Sequence, residues 1–224
     1  MEDGTASTGS LRRVLVVDDH PIVRQGLRLL LESESDFAVC GEAADTAAAL
    51  RATRELAPDV VIVDLTLPGV GGIELIKSLH AEHPGLSILV LSMHDDVLYA
   101  ERSLRAGAAG YVSKNDAPDT LVRALRRVLA GDRYLSERAS SALFASLATP
   151  FRGSVGNPIE RLSDRELEVF RLIGDGVGTR QIAERLHLSV KTVETHRARI
   201  KDKLGIKSGT ELVLRAVRVL SQVD

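Results

Sequence analysis

The 224-residue sequence contains one cysteine, Cys40. A lone thiol excludes an intramolecular disulfide and fits a reducing cytosol. Within "FAVCGEA" it reads as a small buried hydrophobe on a strand rather than a reactive thiol. Long apolar runs are lacking as well, none approaching the about 18–20 residues of a membrane-crossing helix. The opening "MEDGTASTGS" does not have the basic-then-apolar order of a signal peptide, so residues 1–12 are expected to be a disordered lead-in. No internal repeat or low-complexity tract is present. These absences point to a soluble, cytoplasmic protein with no membrane partner. A strong net charge is missing too: 29 Lys+Arg stand against 31 Asp+Glu, a formal −2. That near balance hides an asymmetry. Residues 1–158 carry 16 basic and 21 acidic side chains (16 − 21 = −5), and residues 159–224 carry 13 and 10 (13 − 10 = +3). An acidic front and a basic rear suggest two domains with different partners, the rear one suited to nucleic acid.

What is present alternates. The short apolar runs "VLVVDD", "FAVCGEA", "VVIVD", "SILVLS" and "GYVS" are separated by helix-length amphipathic segments: "PIVRQGLRLLLES", "DTAAALRATRELA", "GIELIKSLHAEH", "DVLYAERSLRAGA" and "APDTLVRALRRVLAG". Five strands alternating with five helices predict a doubly wound five-stranded parallel sheet over residues 13–131. The continuous apolarity of "VLVV", "VVIV" and "ILVL" predicts burial on both faces. Residues 132–158 follow as a linker. "SERASSALFASLA" within it has the pattern of one more helix, and "TPFRGSVGNP" is rich in Pro, Gly and Ser. Residues 159–224 form a small all-α domain with helices expected at 164–173, 179–186, 190–204 and 209–220.

The run "VVIVDLTLPG" ends its strand in a carboxylate, Asp64. Any single acid after a strand is most often a cap or turn residue. In a doubly wound sheet, however, ligands sit beyond the carboxyl ends of the strands. Asp18 and Asp19 end the first strand, so neighbouring first and third strands bring three carboxylates together. Such a cluster is costly without a cation, and Mg²⁺, a hard ion with oxygen ligands, suits it. Asp64 can then be both a metal ligand and a nucleophile toward phosphorus. Ser92 at the end of the fourth strand and Lys114 at the end of the fifth add a hydroxyl donor and an ammonium to neutralise a phosphoryl group. His20 follows the acid pair, but Mg²⁺ prefers oxygen, so it reads as a start-of-helix residue.

In the basic rear, Ser163 and Glu166 make a capping box opening a helix with Leu167, Phe170 and Ile173 inward. After "GDGVG", Thr179 starts a second helix with Ile182, Ala183 and Leu186 as its apolar face. "HLS" turns the chain, and Ser189 caps a third helix with Val193, Ile200 and Leu204 inward. Lys191, Arg197, Arg199, Lys201 and Lys203 fall largely outward. Two short helices joined by a tight turn, the second basic, form a helix-turn-helix. For any one of these cations a solvated helix face is an equal reading; as a group they favour DNA.

On these motifs, residues 13–131 closely resemble the receiver domain of two-component response regulators, which has a flavodoxin-like fold. Residues 160–222 resemble the LuxR/NarL/FixJ-type DNA-binding domain. The resemblance implies that Asp64 is phosphorylated by a sensor histidine kinase and that Mg²⁺ is held by Asp18, Asp19, Asp64 and the carbonyl of Thr66. It also implies that Lys114 contacts the phosphate, while Ser92 and Tyr111 relay the change. Thr66 and His94 hold positions that influence phosphoryl lifetime. Leu67 and Gly71 depart from the common Met and Asp before Gly72. In the DNA-binding domain it implies base contacts from Glu194, Thr195 and Ala198. Backbone contacts are implied from Lys191, Thr192, His196, Arg197 and Arg199, with Thr179 and Arg180 helping. The expected product is a DNA-binding transcription regulator that is no turnover enzyme and that binds promoter half-sites as a homodimer when activated. Two other readings compete: a constitutive DNA-binding dimer with a non-switching receiver, and a phosphatase of the haloacid-dehalogenase type. The phosphatase family places two acids two residues apart on the first strand, whereas Asp18 and Asp19 are adjacent.

Overall fold

The protein is described by a computed structural model covering residues 11–93, 97–136, 140 and 158–220. His94, nearly all of the expected lead-in, and most of the expected helix and linker at 136–158 lie outside these described residues. Five parallel strands, β1 (Arg12–Val17), β2 (Phe37–Ala43), β3 (Val60–Val63), β4 (Ser87–Ser92) and β5 (Gly110–Ser113), are ordered β2-β1-β3-β4-β5. Five helices alternate with them: α1 (Pro21–Glu32), α2 (Thr46–Leu56), α3 (Gly72–Glu82), α4 (Val97–Ala106) and α5 (Pro118–Leu129). Crossing over after β1 and then reversing places the ends of β1 and β3 side by side, which is where such sheets build sites.

The continuous apolar runs are strands because both faces are covered. Val14 and Val16 of β1 pack in one layer with Leu27 and Leu31 of α1 and Leu121 and Leu125 of α5. Leu15 and Val17 point the other way, toward Ala49 of α2 and Ile76 and Leu79 of α3. Alternate residues thus serve opposite layers, each fully buried aliphatic side chain stabilising the fold by about 1.5–3 kcal/mol. β1 begins at Arg12, one residue before the expected domain start, within the usual uncertainty of element ends. Beyond the expected end at residue 131, Tyr134 still belongs to this layer: it bridges Gly110, donating to the Ala109 carbonyl at 3.1 Å and accepting from the Tyr111 amide at 2.9 Å. β5 is an edge strand with free backbone groups, and the departing chain satisfies some of them.

A 3₁₀ turn (Pro158–Arg161) opens the C-terminal domain, followed by α6 (Asp164–Gly174), α7 (Thr179–Arg185), α8 (Val190–Leu204) and α9 (Gly209–Leu220). These bounds match the expected helices to within one residue. Ser163 accepts from the Glu166 amide, and Glu166 accepts in turn from the Ser163 amide at 2.7 Å, completing the capping box. Lys203 of α8 adds an ion pair to the same Glu166 carboxylate at 2.6 Å. Leu167, Phe170, Ile173, Ile182, Ala183, Leu186, Val193 and Ile200 are all buried, and Leu204 is half-buried. The domain rests on the first through α6. Asp164 receives Arg102 of α4 at 2.8 Å and Lys77 of α3 at 3.0 Å. Arg102 also donates to the Ile159 carbonyl, and the guanidinium of Arg171 lies 5.5 Å from the ring centre of Tyr99.

Candidate phosphoacceptor pocket and nucleic-acid interface

Backbone pairing delivers the acids to one place. The Asp64 amide donates to the Val17 carbonyl at 2.9 Å, and the Asp18 amide to the Ala43 carbonyl at 3.1 Å, so both carboxylates leave the sheet at the same level. After β3 the chain must turn under Asp64, and Gly72 makes that turn possible. A Cβ there would lie 2.3 Å from the Asp64 carbonyl oxygen and 2.5 Å from the Leu65 Cα, so no side chain fits. Gly71, where the family commonly has Asp, has φ +89°, a backbone conformation that favours glycine. On the far side, the Lys114 amide donates to the Ser92 carbonyl at 2.7 Å, which fixes the start of the loop after β5.

The Lys114 ammonium then bridges two acids, 2.6 Å from Asp18 Oδ2 and 2.8 Å from Asp64 Oδ2. Asp64 Oδ1 accepts from the Thr66 amide at 3.2 Å. Asp18 is 1% exposed, Asp64 3% and Ser92 0%, so these groups interact with little screening by water. Burial raises the Asp64 carboxyl above the usual carboxylate range, with the charge of Asp18 acting the same way and Lys114 opposing. Burial lowers the Lys114 ammonium, but Asp64 and Asp18 outweigh that effect, and its pKa ends above the ordinary lysine value.

Asp18, Asp19, His20 and Asp64 each offer one ligand atom, and these atoms lie within 4.8 Å of one another. Three carboxylates against one ammonium leave two negative charges uncompensated (3 − 1 = 2). Asp19 Oδ1 is buried without a hydrogen bond among the described residues and lies 2.7 Å from His20 Nδ1. An oxygen-rich, anionic, partly unsatisfied donor set fits a hard divalent cation. His20 is the N-cap of α1, as its helix-start reading expects, and its amide donates to Asp18 Oδ1 at 2.8 Å. Thr66 is half-buried and lines the adjoining cavity. Tyr111, paired with Val90 across β4 and β5, is buried at 4% exposure.

On the C-terminal domain, α7 and α8 make the helix-turn-helix. Its turn carries His187 at φ +51° and is closed by the Leu188 amide on the Ala183 carbonyl at 2.8 Å. Ser189 caps α8 by accepting from the Thr192 amide at 3.0 Å. Lys191, Glu194, Thr195 and Ala198, spaced by three and four, share an exposed face, and Arg180 and Arg199 are exposed as well. Thr179, Thr192, His196 and Arg197 are half-buried. Arg197 lies 4.0 Å from Glu194. His196 faces inward, and burial, assisted by Arg165, lowers its pKa below the ordinary histidine value. Sequence reasoning missed the residues that join the domains, Lys77, Tyr99, Arg102, Asp164 and Arg171. Each carries an unremarkable charge or ring on an amphipathic helix, and nothing in the local pattern distinguishes a solvated arginine from a docked one.

Comparison with known proteins bears on both domains. A family model described as "Response regulator receiver domain" matches residues 14–126, and one described as "Bacterial regulatory proteins, luxR family" matches residues 160–216. The response regulator GacA of Pseudomonas viridiflava is 39% identical over 207 residues, 92% of this chain and 95% of that protein. The RcsB response regulator of Salmonella typhimurium aligns at 32% identity over 93% of this chain and 98% of that one, with a TM-score of 0.67. A second RcsB structure, bound to the promoter rprA in the presence of the phosphomimetic BeF3−, aligns at 32% identity over 91% of this chain and 96% of that one, TM-score 0.60.

Proposed function

As the chain belongs to the NarL/FixJ-type, LuxR-family response regulators of two-component systems, we propose that phosphorylation of Asp64 by a sensor histidine kinase switches its binding to promoter DNA. Members of this family regulate transcription and are not turnover enzymes. The observation that carries the reading is the Lys114 ammonium joined to both Asp18 and Asp64 at the end of the sheet, with Asp19 beside them.

The residues present fit Mg²⁺, with Asp18, Asp19, Asp64 and the Thr66 carbonyl as its holders. When bound, the ion neutralises negative charge at the incoming phosphoryl group. In the transfer, a carboxylate oxygen of Asp64 attacks phosphorus, the phosphorus–nitrogen bond of the donor phosphohistidine breaks, and the imidazole leaves with the electron pair and takes up a proton. Lys114 keeps the acceptor oxygen oriented and pairs with a phosphoryl oxygen afterwards. Ser92 supplies a hydroxyl to another phosphoryl oxygen, and Tyr111 follows into the space it leaves. On DNA, Glu194, Thr195 and Ala198 face base edges, while Lys191, Thr192, Arg197 and Arg199 hold the backbone with Thr179 and Arg180. His196 joins them in contacting the backbone. Activation favours a homodimer that engages two half-sites, gaining through effective concentration. No helix among the described residues is long and apolar enough to cross a membrane.

Light scattering with and without Mg²⁺ and beryllofluoride, on the wild type and Asp64→Asn, tests the reading. A rise in mass confined to the wild type is expected. The same response in Asp64→Asn would overturn the assignment of Asp64.

A further inference from the structure

Three residues, Asp18, Asp19 and His20, join β1 to α1, and two of them are acids of the cluster at the sheet end. Their carboxylates repel each other, so the loop that presents them must be held by other bonds. The start of α1 gives it little hold: the N-cap residue His20 makes no side-chain cap bond, and Pro21 in the first turn has no N–H. Arg24, in that same first turn, reaches back instead. Its Nη1 donates to the Asp18 carbonyl at 2.7 Å, and its Nε donates to Glu42 Oε2 of β2 at 3.1 Å. The Arg24 side chain is only 16% exposed, so a charge-assisted bond to the backbone is made where water competes weakly.

We propose that Arg24 is a positioning residue for the cation site: by tying the Asp18 carbonyl to Glu42, it fixes the backbone from which Asp18 and Asp19 present their carboxylates. The proposal rests on the reading of Asp18, Asp19 and Asp64 as holders of Mg²⁺. Two rigid peptide planes flank the Asp18 Cα. The plane before it is held by the Asp18 amide on the Ala43 carbonyl at 3.1 Å, and the plane after it by Arg24. With both planes held, the two backbone dihedrals of Asp18 are set, and with them the direction of its side chain. The second plane also contains the Asp19 nitrogen, so the same bond sets where Asp19 leaves the loop. Both anchors come from one place on β2. Glu42 and Ala43 are consecutive and lie opposite Val16 and Val17, the last two residues of β1. Arg28, one turn further along α1, steadies Glu42 by donating to its other oxygen at 2.7 and 2.9 Å. The described bonds of Arg28 go to Glu42 and Glu32 and not to the acid loop. The sign of the effect separates positioning from charge. A guanidinium near an acidic site repels a cation, so through charge alone the loss of Arg24 strengthens Mg²⁺ binding. Through positioning, the same loss weakens it.

The test titrates Mg²⁺ alone into the full chain at fixed ionic strength. Amide NMR shifts give the dissociation constant, and urea midpoints report stability separately. Arg24→Ala should bind Mg²⁺ roughly tenfold more weakly, the lower end of what losing an outer hydrogen-bond partner costs a metal site. Arg24→Lys keeps the charge but lacks the planar fork that meets carbonyl and carboxylate together, so it should remain roughly threefold weaker than the wild type. Arg28→Ala removes the same charge and a partner of the same Glu42, yet should stay within about twofold, as expected for a half-exposed ion pair. An Arg24→Ala chain that binds Mg²⁺ as tightly as the wild type, or more tightly, overturns the proposal. So does an Arg28→Ala chain as weak as Arg24→Ala. Should Arg24→Ala fail to fold, Arg24→Lys decides: wild-type affinity there overturns the proposal. A wild-type chain that binds no Mg²⁺, or an Asp18→Asn chain that binds it undiminished, removes the reading of the acid site and the proposal with it.

Discussion

At the carboxyl end of the sheet, Asp18, Asp64 and Lys114 are packed where water hardly reaches, and each has its partners chosen by the fold. On α8, Lys191, Glu194 and Arg199 stand in solvent. The same residue types behave differently in the two places. In the pocket, burial and proximity magnify each charge, so a single added phosphoryl group changes the energy of the whole cluster. On the helix, each charge is screened and individually weak, and in the proposed complex effect would come from summing several cations against the phosphates of DNA with release of their counterions. A switch needs the first arrangement because it must respond to one event. A nucleic-acid surface needs the second because it must meet a partner that is itself hydrated and charged.

That contrast can be broken from either end. The largest expected effect is at Asp64: Asp64→Asn should abolish labelling by a phosphorylated kinase while thermal unfolding stays cooperative. Persistent labelling would show that the buried cluster does not act through this oxygen. Next comes Gly72→Ala. Its new methyl has no room against the Asp64 carbonyl, so the first domain should lose about 1–3 kcal/mol, read as a lower denaturation midpoint. An unchanged midpoint would mean the turn under Asp64 is softer than its packing indicates.

A smaller effect is expected at Glu166, the buried acid of the C-terminal domain. Burial raises its pKa, but Lys203 and the Ser163 cap outweigh that, and its folded pKa lies below the ordinary glutamate value of 4.5. Its contribution is therefore complete above pH 4.5 and fades as pH falls through the depressed folded value. Glu166→Gln should cost about 1 kcal/mol at neutral pH, and the gap from wild type should close in acid; a pH-independent gap would assign the loss to packing. The smallest effect is expected at the exposed end. Lys191→Ala should weaken binding to all DNA sequences alike and reduce the salt slope by about one. A loss confined to one base position would make Lys191 a reader of sequence.

Much of this architecture is legible residue by residue. "SILVLS" and "GYVS" coincide with β4 and β5 because their covered residues are apolar and turn residues mark their ends, while "FAVCGEA" coincides with the edge strand β2, which is largely half-buried. The capping box at Ser163 and Glu166 is legible because it is closed within one turn of helix. Asp64 stands out for the opposite reason, as a carboxylate where burial alone would forbid one. What the local pattern does not contain is pairing at a distance. Lys77 and Arg102 reach Asp164 across 87 and 62 residues. Tyr134 extends the sheet where composition suggests a linker, because a free edge accepts any extended backbone.

By itself, the sequence determined which residues are apolar, the order and approximate extent of the five strands and nine helices of the described residues, and which acids, hydroxyls and cations stand at the strand ends. Those properties follow from local sterics and from the period of the hydrophobic pattern. Only the tertiary structure decided that His196 is turned inward and that Asp164 is held between Lys77 and Arg102 of the other domain. A side chain's charge is written in its residue type, but its partner and its exposure depend on which distant surfaces the chain brings together.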